Sequence, residues 1–444
     1  MPKVDLEPLH RFHSYCARFP SEIVETALEK YTKPGESVLD PFCGSGTTLV
    51  ACLAHGRKAV GADIDILAGM LSQAKCTPYS RDRYDTGRGE FAARLKDDFN
   101  EISRSWPPRS TASPGTAWPL GSLRLPIPSF VELPYWFPPQ LTAALAAIAN
   151  AAHECGDPHF EHVALLSLSA SIIAKWPNTL SYAMDVDHTR PHRRVQRFHL
   201  DRVLTIYLAR LDRCIASLGE LHRIYQDAGT PADAGDTARV LYPHDARVGI
   251  PDLAEGSQTL VVTSPPYFNA VDYPRAHRLS VCWMNGYAPP DLVSRRNYVG
   301  LRHAPGFDPH AWLKERPAVR RFVPLAIRRE EAVCRRLAAF YADLAEVLSH
   351  CWQALKPGGH AIYVIANNVI KEQRIKSHRV LAELAKELGF QGRKTDTREI
   401  ASLRRRFPVG PFGFDGPMTH EYLVVLRKPK PRKPSTGGGH ARSN

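Results

Sequence analysis

The stretch Thr259-Leu260-Val261-Val262-Thr263-Ser264-Pro265-Pro266-Tyr267 contains a short apolar strand and the loop that ends it. The run 259–262 is typical of a strand buried in a sheet. Two consecutive prolines cannot donate hydrogen bonds to a sheet, so the chain leaves the strand there in a stiff loop. Ligands of open α/β sheets bind at the carboxyl ends of strands. A hydroxyl, exposed carbonyls and a flat ring at that position suit a planar substrate with an NH2 group. The alternative is a Pro-Pro turn with a surface tyrosine.

A second stretch, Ser37-Val38-Leu39-Asp40-Pro41-Phe42-Cys43-Gly44-Ser45-Gly46-Thr47-Thr48, predicts a strand, a glycine-rich turn and the start of a helix. Glycines allow a sharp bend close to a ligand, and a helix N-terminus offers free N–H groups. The third glycine of the dinucleotide fingerprint is replaced by Leu49, which disfavours a nicotinamide cofactor. The next predicted strand, 57–65, ends in Asp63 and Asp65. Either carboxylate could bind ribose hydroxyls or cap the following helix.

Together, the segments DPFCGSGTT and TSPPY resemble motifs of the amino-methyltransferases that use S-adenosylmethionine. The TSPPY form is most similar to the cytosine-N4 DNA methyltransferases, and the resemblance covers residues 10–76 and 240–427. It implies an α/β fold with a doubly wound, Rossmann-like methyltransferase sheet, interrupted by a largely helical insertion. It also implies S-adenosylmethionine as the cofactor and double-stranded DNA as the partner. A serine before Pro-Pro, where others have aspartate or asparagine, favours cytosine N4 over adenine N6.

The resemblance implies the site residues as well. The Ser264 side chain and the Pro265 carbonyl would accept hydrogen bonds from the target amine, and Tyr267 would stack on a base flipped out of the duplex. The methyl group would then transfer directly, through proximity and orientation, without a cysteine nucleophile or a metal. The catalytic candidates are Ser264, Pro265, Pro266 and Tyr267. The cofactor-binding candidates are Tyr15, Asp40, Phe42, Gly44, Gly46, Thr47, Asp63, Asp65 and Asp245.

From Thr77 to about Arg239 the alternation of strands and helices stops. The segment 105–139 is rich in proline and typical of extended, turn-rich chain. Apolar periodicity then predicts helices at 141–153, 162–176 and 200–225. Between the last two lies HTRPHRRVQRFH (188–199), which suits contact with phosphates and guanine edges or forms a solvated basic loop. The DNA-binding candidates are Arg190, Arg193, Arg194 and Arg197 in this stretch, and Asn269 and Arg278 after the catalytic loop.

These observations divide the chain into four parts. The resemblance implies that residues 1–76 form the first half of a methyltransferase domain with the cofactor motifs, and that 77–239 form an inserted target-recognition region. Residues 240–427 form the second half with the catalytic motif; within it, a helix over 328–355 is expected to stop at Lys356-Pro357-Gly358-Gly359 before a strand. Residues 428–444, rich in lysine, proline and glycine, are expected to be a disordered basic tail.

Composition narrows the function further. The chain has 444 residues and a net charge of +13, which favours a polyanionic partner. The nine cysteines show no zinc-binding spacing. No apolar run approaches the roughly 20 residues that span a bilayer, and no signal-peptide core begins the chain, so a cytoplasmic protein is expected.

The leading expectation is a site-specific cytosine-N4 DNA methyltransferase of a restriction-modification system, with a cognate restriction endonuclease as its partner. Three alternatives remain open. They are adenine-N6 methylation of DNA by the same site, guanine-N2 methylation of RNA, and a DNA-binding protein without catalysis. Intact glycines and an intact Ser-Pro-Pro-Tyr loop argue against the last of these.

Overall fold

The computed structural model describes residues 4–6, 12–15, 20–175, 177–183, 198–230, 237–268, 272–284, 298–299, 306–370, 372–399 and 419–431. The described strands are β1 (Ser37–Asp40), β2 (Lys58–Ala62), β3 (Ala117–Leu120), β4 (Leu123–Pro126), β5 (Ala238–Leu241), β6 (Gln258–Thr263), β7 (Leu355–Ala366), β8 (Asn368–Ile370), β9 (Gln373–Ile375), β10 (Gln391–Glu399) and β11 (His420–Arg427). Seven of them form one sheet in the order β10-β11-β7-β6-β1-β2-β5. The pairs β3–β4 and β8–β9 are separate hairpins.

The central sheet has a switch point between β1 and β6. The chain runs outward from β1 to β2 and β5 and then returns to β6 on the other side of β1. All pairs from β5 to β7 are parallel, whereas β11 is antiparallel to both β7 and β10. A crevice therefore opens at the carboxyl ends of β1 and β6, where ligands of such sheets bind. The sheet confirms the predicted doubly wound, Rossmann-like fold.

Helices cover both faces of this sheet. Alternate residues of β1 and β6 enter two different apolar clusters: Val38 joins one and Leu39 the other, as do Val262 and Val261. This alternation is what a strand buried on both faces requires. The described helices are Ser21–Tyr31, Thr47–Leu53, Ile66–Cys76, Arg81–Arg104, Leu133–Trp136, Pro139–His153, Pro158–Ile172, Leu200–Asp227, Ala246–Val248 (a 3-10 turn), Tyr273–Met284, Pro309–Lys314, Pro317–Arg320, Leu325–Arg329, Glu331–Ala354 and Ser377–Glu387.

A third apolar cluster holds the helical part of the chain together. It joins the long helices between residues 66 and 227 with the helix Tyr273–Met284, which follows the loop after β6, the predicted catalytic loop. The ring centroids of Phe137 and Trp283 are 5.5 Å apart, edge to face, and both side chains are buried. The segment after the catalytic loop is therefore built into the helical part. No helix in the described part of the chain is long and apolar enough to cross a membrane.

Two details differ from the sequence predictions. The segment 105–139 is not only extended chain, because it contains the β3–β4 hairpin and the helix Leu133–Trp136. The Lys356–Gly359 segment does not separate a helix from a strand, since β7 already begins at Leu355. Leu355 pairs with Gln258 and His360 pairs with Leu260, so the Pro-Gly-Gly segment bulges out of the ladder instead of ending it.

Candidate active site

The side chain of Asp40, the last residue of β1, forms hydrogen bonds to residues of both motifs. Its Oδ1 accepts a hydrogen bond from the hydroxyl of Thr263 and its Oδ2 one from Thr48, both at 2.6 Å. The N–H of Phe42 also donates to Oδ1 at 3.1 Å. Complete burial raises the pKa of Asp40 to about 6, although these hydrogen bonds act to lower it. Asp40 thus fixes the turn after β1 relative to the loop after β6, and it does not line the cavity between them.

Gly44 and Gly46 shape the turn after β1. Gly46 has φ +87°, and a Cβ there would lie 2.9 Å from Oγ of Ser72, so this position requires glycine. The N–H of Gly44 donates to Oδ2 of Asp63 at 2.8 Å, and the Ser72 hydroxyl donates to the Gly44 carbonyl at 2.7 Å. The turn is held between the end of β2 and the helix Ile66–Cys76.

Lys75 is a further support of this turn that the sequence analysis missed. Its side chain is buried, and its ammonium donates to the Ser45 carbonyl at 2.6 Å. The same nitrogen lies 5.8 Å from the ring centroid of Phe12. A signal existed in the sequence, because ILAGMLSQAKC is apolar around most of its circumference, and such a helix is buried. A lysine within it therefore had to be buried with a partner.

Asp63 and Asp65 both line the cavity, and Asp63 accepts fewer hydrogen bonds to offset the cost of burying its charge. Its Oδ2 accepts the Gly44 N–H, and its Oδ1 accepts the N–H of Asp65 at 2.9 Å. Burial, followed by the charge of Asp65, raises the pKa of Asp63 to about 7, despite both hydrogen bonds. Each oxygen retains a lone pair for a further donor.

Asp65 is occupied by protein donors on both oxygens. Its Oδ1 accepts the N–H of Ala68 at 2.9 Å and so caps the helix Ile66–Cys76. Its Oδ2 lies 2.9 Å from Nδ1 of His277 and 3.0 Å from the hydroxyl of Tyr298. Burial acts to raise the pKa of Asp65, but His277 and these hydrogen bonds hold it below its ordinary value. Asp65 therefore has the capping role considered above. It also forms hydrogen bonds to His277 and Tyr298, which lie after the loop that follows β6.

A cavity opens between the two motif loops. The predicted residues that line it are Tyr15, Phe42, Gly44, Thr47, Asp63, Asp65, Ser264 and Pro266. The ring of Tyr15 lies 5.0 Å from that of His277, between centroids, which closes one side. Among the described residues, no group of His, Cys, Asp and Glu side chains is arranged to hold a metal ion.

The loop after β6 is anchored at both ends of its motif. The Ser264 hydroxyl donates to the Val364 carbonyl of β7 at 3.3 Å, and it lies 3.5 Å from the Tyr267 hydroxyl. The Tyr267 hydroxyl donates to Oε1 of Glu421 at 3.1 Å. Burial, together with the Glu421 carboxylate, raises the pKa of Tyr267 well above its ordinary value, so the hydroxyl stays protonated. Glu421 was not among the predicted site residues.

Other predicted residues lie elsewhere. Asp245 pairs with Arg247 at 2.7 Å, and Arg247 also reaches Asp343 at 3.1 Å. Nη1 of Arg278 lies 3.3 Å from Glu132, within the helical part. Pro265 is buried, whereas Pro266 is partly exposed. The predicted DNA contacts Arg190, Arg193, Arg194, Arg197 and Asn269 lie outside the described residues, as does the tail from residue 432 onwards.

Comparison with known proteins supports the motif assignment. Residues 3–74 match the family model described as DNA methylase. The Type II methyltransferase M.MvaI of Kocuria varians is 22% identical over 439 residues, which cover 95% of this chain and 91% of that protein. M.MjaII of Methanocaldococcus jannaschii is 35% identical over 71 residues, covering 16% of this chain and 13% of its own. These matches confirm the resemblance to DNA amino-methyltransferases that use S-adenosylmethionine.

Solved structures of methyltransferases are also similar, at low scores. A putative DNA modification methylase of Thermus thermophilus, complexed with S-adenosyl-L-methionine, has 19% sequence identity and a TM-score of 0.23, covering 44% of this chain and 57% of that one. The rRNA methyltransferase aviRa of Streptomyces viridochromogenes has 12% identity and a TM-score of 0.32, covering 96% and 94%. Superpositions this poor add nothing to the assignment from the motifs.

Proposed function

We propose that this chain is a DNA amino-methyltransferase that transfers a methyl group from S-adenosylmethionine to the exocyclic N4 amine of cytosine in double-stranded DNA. The cavity shared by the two motif loops carries the proposal. Gly44 and Asp63 border it on one side, and Ser264 and Pro266 border it on the other. A donor bound by the glycine turn would therefore lie beside an amine held by the Pro-Pro loop, as direct transfer requires.

The residues of the cavity fit S-adenosylmethionine. The raised pKa of Asp63 reports a buried carboxylate that two backbone N–H groups do not fully stabilise, and two ribose hydroxyls would donate to its remaining lone pairs. Tyr15 and Phe42 add aromatic surface. When bound, the cofactor supplies an electrophilic methyl group on a positively charged sulfur.

The loop after β6 would bind the target base. An exocyclic amine is a weak nucleophile because its lone pair is delocalised into the ring. Hydrogen bonds from its N–H groups to the Ser264 hydroxyl and the Pro265 carbonyl would favour the tetrahedral form with a localised lone pair. Tyr267 would stack on the base, which must leave the duplex to reach the loop. The serine at position 264 supports cytosine as the target.

The helical part would select the DNA sequence. The region 77–239 leaves the sheet after β2 and returns at β5, and these strands are neighbours, so it is inserted at one corner of the sheet. The net charge of +13 and the basic stretch 188–199 supply a match for phosphates. We assign the region to target recognition, in a restriction-modification system with a partner endonuclease.

Product analysis tests the proposal. The protein is incubated with duplex DNA and labelled S-adenosylmethionine, the DNA is digested to nucleosides, and the product is identified by mass. N4-methylcytosine is the expected result. N6-methyladenine would refute the choice of base and retain the fold and cofactor. Label on RNA alone, or no transfer and no crosslinking of the cofactor, would refute DNA methylation.

The Tyr267→Ala variant tests the stacking role. We expect a sharp loss of transfer with nearly unchanged cofactor binding, because the cavity is lined by Ser264 and Pro266 but not by Tyr267. Tyr341→Ala is a control for loss of a buried tyrosine from the apolar cluster against which Tyr267 packs; the hydroxyl of Tyr341 bonds Ser377 at 3.0 Å. Unchanged turnover of Tyr267→Ala would remove Tyr267 from the site.

A further inference from the structure

We infer that Glu421, at the start of β11, is a positioning residue for the target base. Its carboxylate holds the Tyr267 hydroxyl at 3.1 Å and thereby fixes the position of the ring on which the base would stack. The inference rests on the proposed function and deepens it. It adds a residue that lies 154 positions away from the catalytic loop in sequence.

The topology of the sheet explains how Glu421 reaches the loop. Because β11 runs antiparallel to β7, its first residues lie at the edge where β7 ends, and Glu421 pairs with Ala366. The Ser264 hydroxyl donates to Val364, two residues earlier on β7. The loop is therefore fixed at two points on neighbouring strands. Ser264 bonds to Val364 of β7, and Tyr267 bonds to Glu421 of β11.

The charges around Glu421 suit this role. Its side chain is only 16% exposed, and Nη1 of Arg398 lies 3.8 Å from Oε2, on the strand position that pairs with it. One carboxylate oxygen thus faces the guanidinium and the other faces the tyrosine. Hydrogen bonds from neutral donors to charged acceptors are stronger than those between neutral groups. Glu421 can therefore hold the Tyr267 hydroxyl while the side chain packs against the apolar cluster on that side of the sheet.

A double-mutant cycle tests the inference. We measure kcat and KM for DNA in the wild type, Glu421→Ala, Tyr267→Phe and the double variant. We also measure the fluorescence of 2-aminopurine at the target position, which rises when the base leaves the stack. We expect either single variant to lower kcat by roughly tenfold, the size of one hydrogen bond, and to lower the fluorescence. The double variant should lose no more than the singles, because both remove the same contact.

A conservative variant separates positioning from other roles. Glu421→Gln should retain most of the kcat and of the fluorescence signal, since the amide oxygen of glutamine can accept the same hydrogen bond. Glu399→Ala is the matched control, because Glu399 is an exposed glutamate at the same sheet edge, paired with His420. It should leave both readouts unchanged.

Three outcomes would overturn the inference. Wild-type kcat in Glu421→Ala shows that the contact does not matter, and additive losses in the double variant show that Glu421 acts apart from Tyr267. A loss in Glu421→Gln equal to that in Glu421→Ala shows that the residue takes a proton instead of positioning the ring. If the wild-type protein methylates no DNA, the proposed function itself is refuted. The kcat of the wild type, measured first, distinguishes this outcome from the others.

Discussion

Replacing Asp40 by asparagine should change how the free energy of unfolding depends on pH. Asparagine has the shape of aspartate and keeps an oxygen for the Thr48 and Thr263 hydroxyls, which can also accept from its amide. Burial raises the pKa of Asp40 from 3.8 to about 6 in the folded chain. For a raised pKa, the stabilising contribution is complete below the unfolded value and is lost as the pH rises through the folded value.

The size of the effect follows from the two pKa values. One pKa unit corresponds to about 1.4 kcal/mol, so the shift from 3.8 to about 6 amounts to about 3 kcal/mol when the carboxylate is fully ionised. Roughly 1 kcal/mol of this loss has already occurred at about pH 4.5. The free energy of unfolding of Asp40→Asn, relative to the wild type, should therefore rise by about 2 kcal/mol between about pH 4.5 and about pH 8.

Urea unfolding at several pH values measures this difference. Titrating groups that do not interact with Asp40 are common to both proteins and cancel in the comparison. Asp227→Asn is the control, because Asp227 is exposed at the end of the helix Leu200–Asp227 and water solvates its charge. Parallel pH profiles for the wild type and Asp40→Asn would refute the reasoning, since they would show that burying the Asp40 charge costs nothing.

Three further predictions concern the cavity and its supports. Cofactor affinity should fall about tenfold between about pH 8 and about pH 6, because protonation of Asp63, with its pKa of about 7, removes the acceptor proposed for the ribose. Calorimetry should show no such change in Asp63→Asn. Gly46→Ala should cost about 1–3 kcal/mol in urea unfolding and weaken cofactor binding, because φ is +87° and the added Cβ meets Ser72. Arg247→Met should cost about 3–5 kcal/mol, because it leaves the largely buried Asp343 carboxylate without its guanidinium.

Matched variants control the last two predictions. Gly89→Ala lies in open space within the helix Arg81–Arg104 and should stabilise the protein by up to about 1 kcal/mol. Arg239→Met removes an exposed pair with Asp252, at 3.9 Å, and should change stability by less than about 1 kcal/mol. If Gly46→Ala behaved like Gly89→Ala, or Arg247→Met like Arg239→Met, the corresponding argument would fail.

The elements that carry local signals were predicted correctly. The apolar run before Pro265, the glycine turn after Asp40 and the periodic helix from Leu200 are written in consecutive residues, and all appear in the structure. The helix Arg81–Arg104 was not predicted, because its composition is hydrophilic and contains two glycines. Its stripe of buried residues, from Tyr84 to Ile102 at helical spacing, was present in the sequence but was obscured by the charged positions.

Contacts that depend on strand order could not be predicted in the same way. Glu421 reaches Tyr267 only because β11 lies beside β7 and runs in the opposite direction. No spacing in the sequence encodes that arrangement. Asp40 illustrates the converse: its motif was recognised, but only the folded chain shows that its oxygens face Thr48 and Thr263 instead of the cavity. Motifs identify the residues of a site, and the packing determines which of them a ligand can touch.

Under the proposed assignment of the helical part to target recognition, its shared core limits how DNA specificity can be transferred between relatives. In a chimera in which only residues 77–239 come from a relative, the helices of the relative would pack against the native helix Tyr273–Met284. Leu279 and Trp283 of that helix are buried in the core of the helical part. Recombination should therefore succeed only when residues 77–239 and the helix Tyr273–Met284 are exchanged together, although the Ser-Pro-Pro-Tyr loop separates them in the gene. Lineages that exchange recognition specificity by recombination are expected to show paired breakpoints on either side of the Ser-Pro-Pro-Tyr loop.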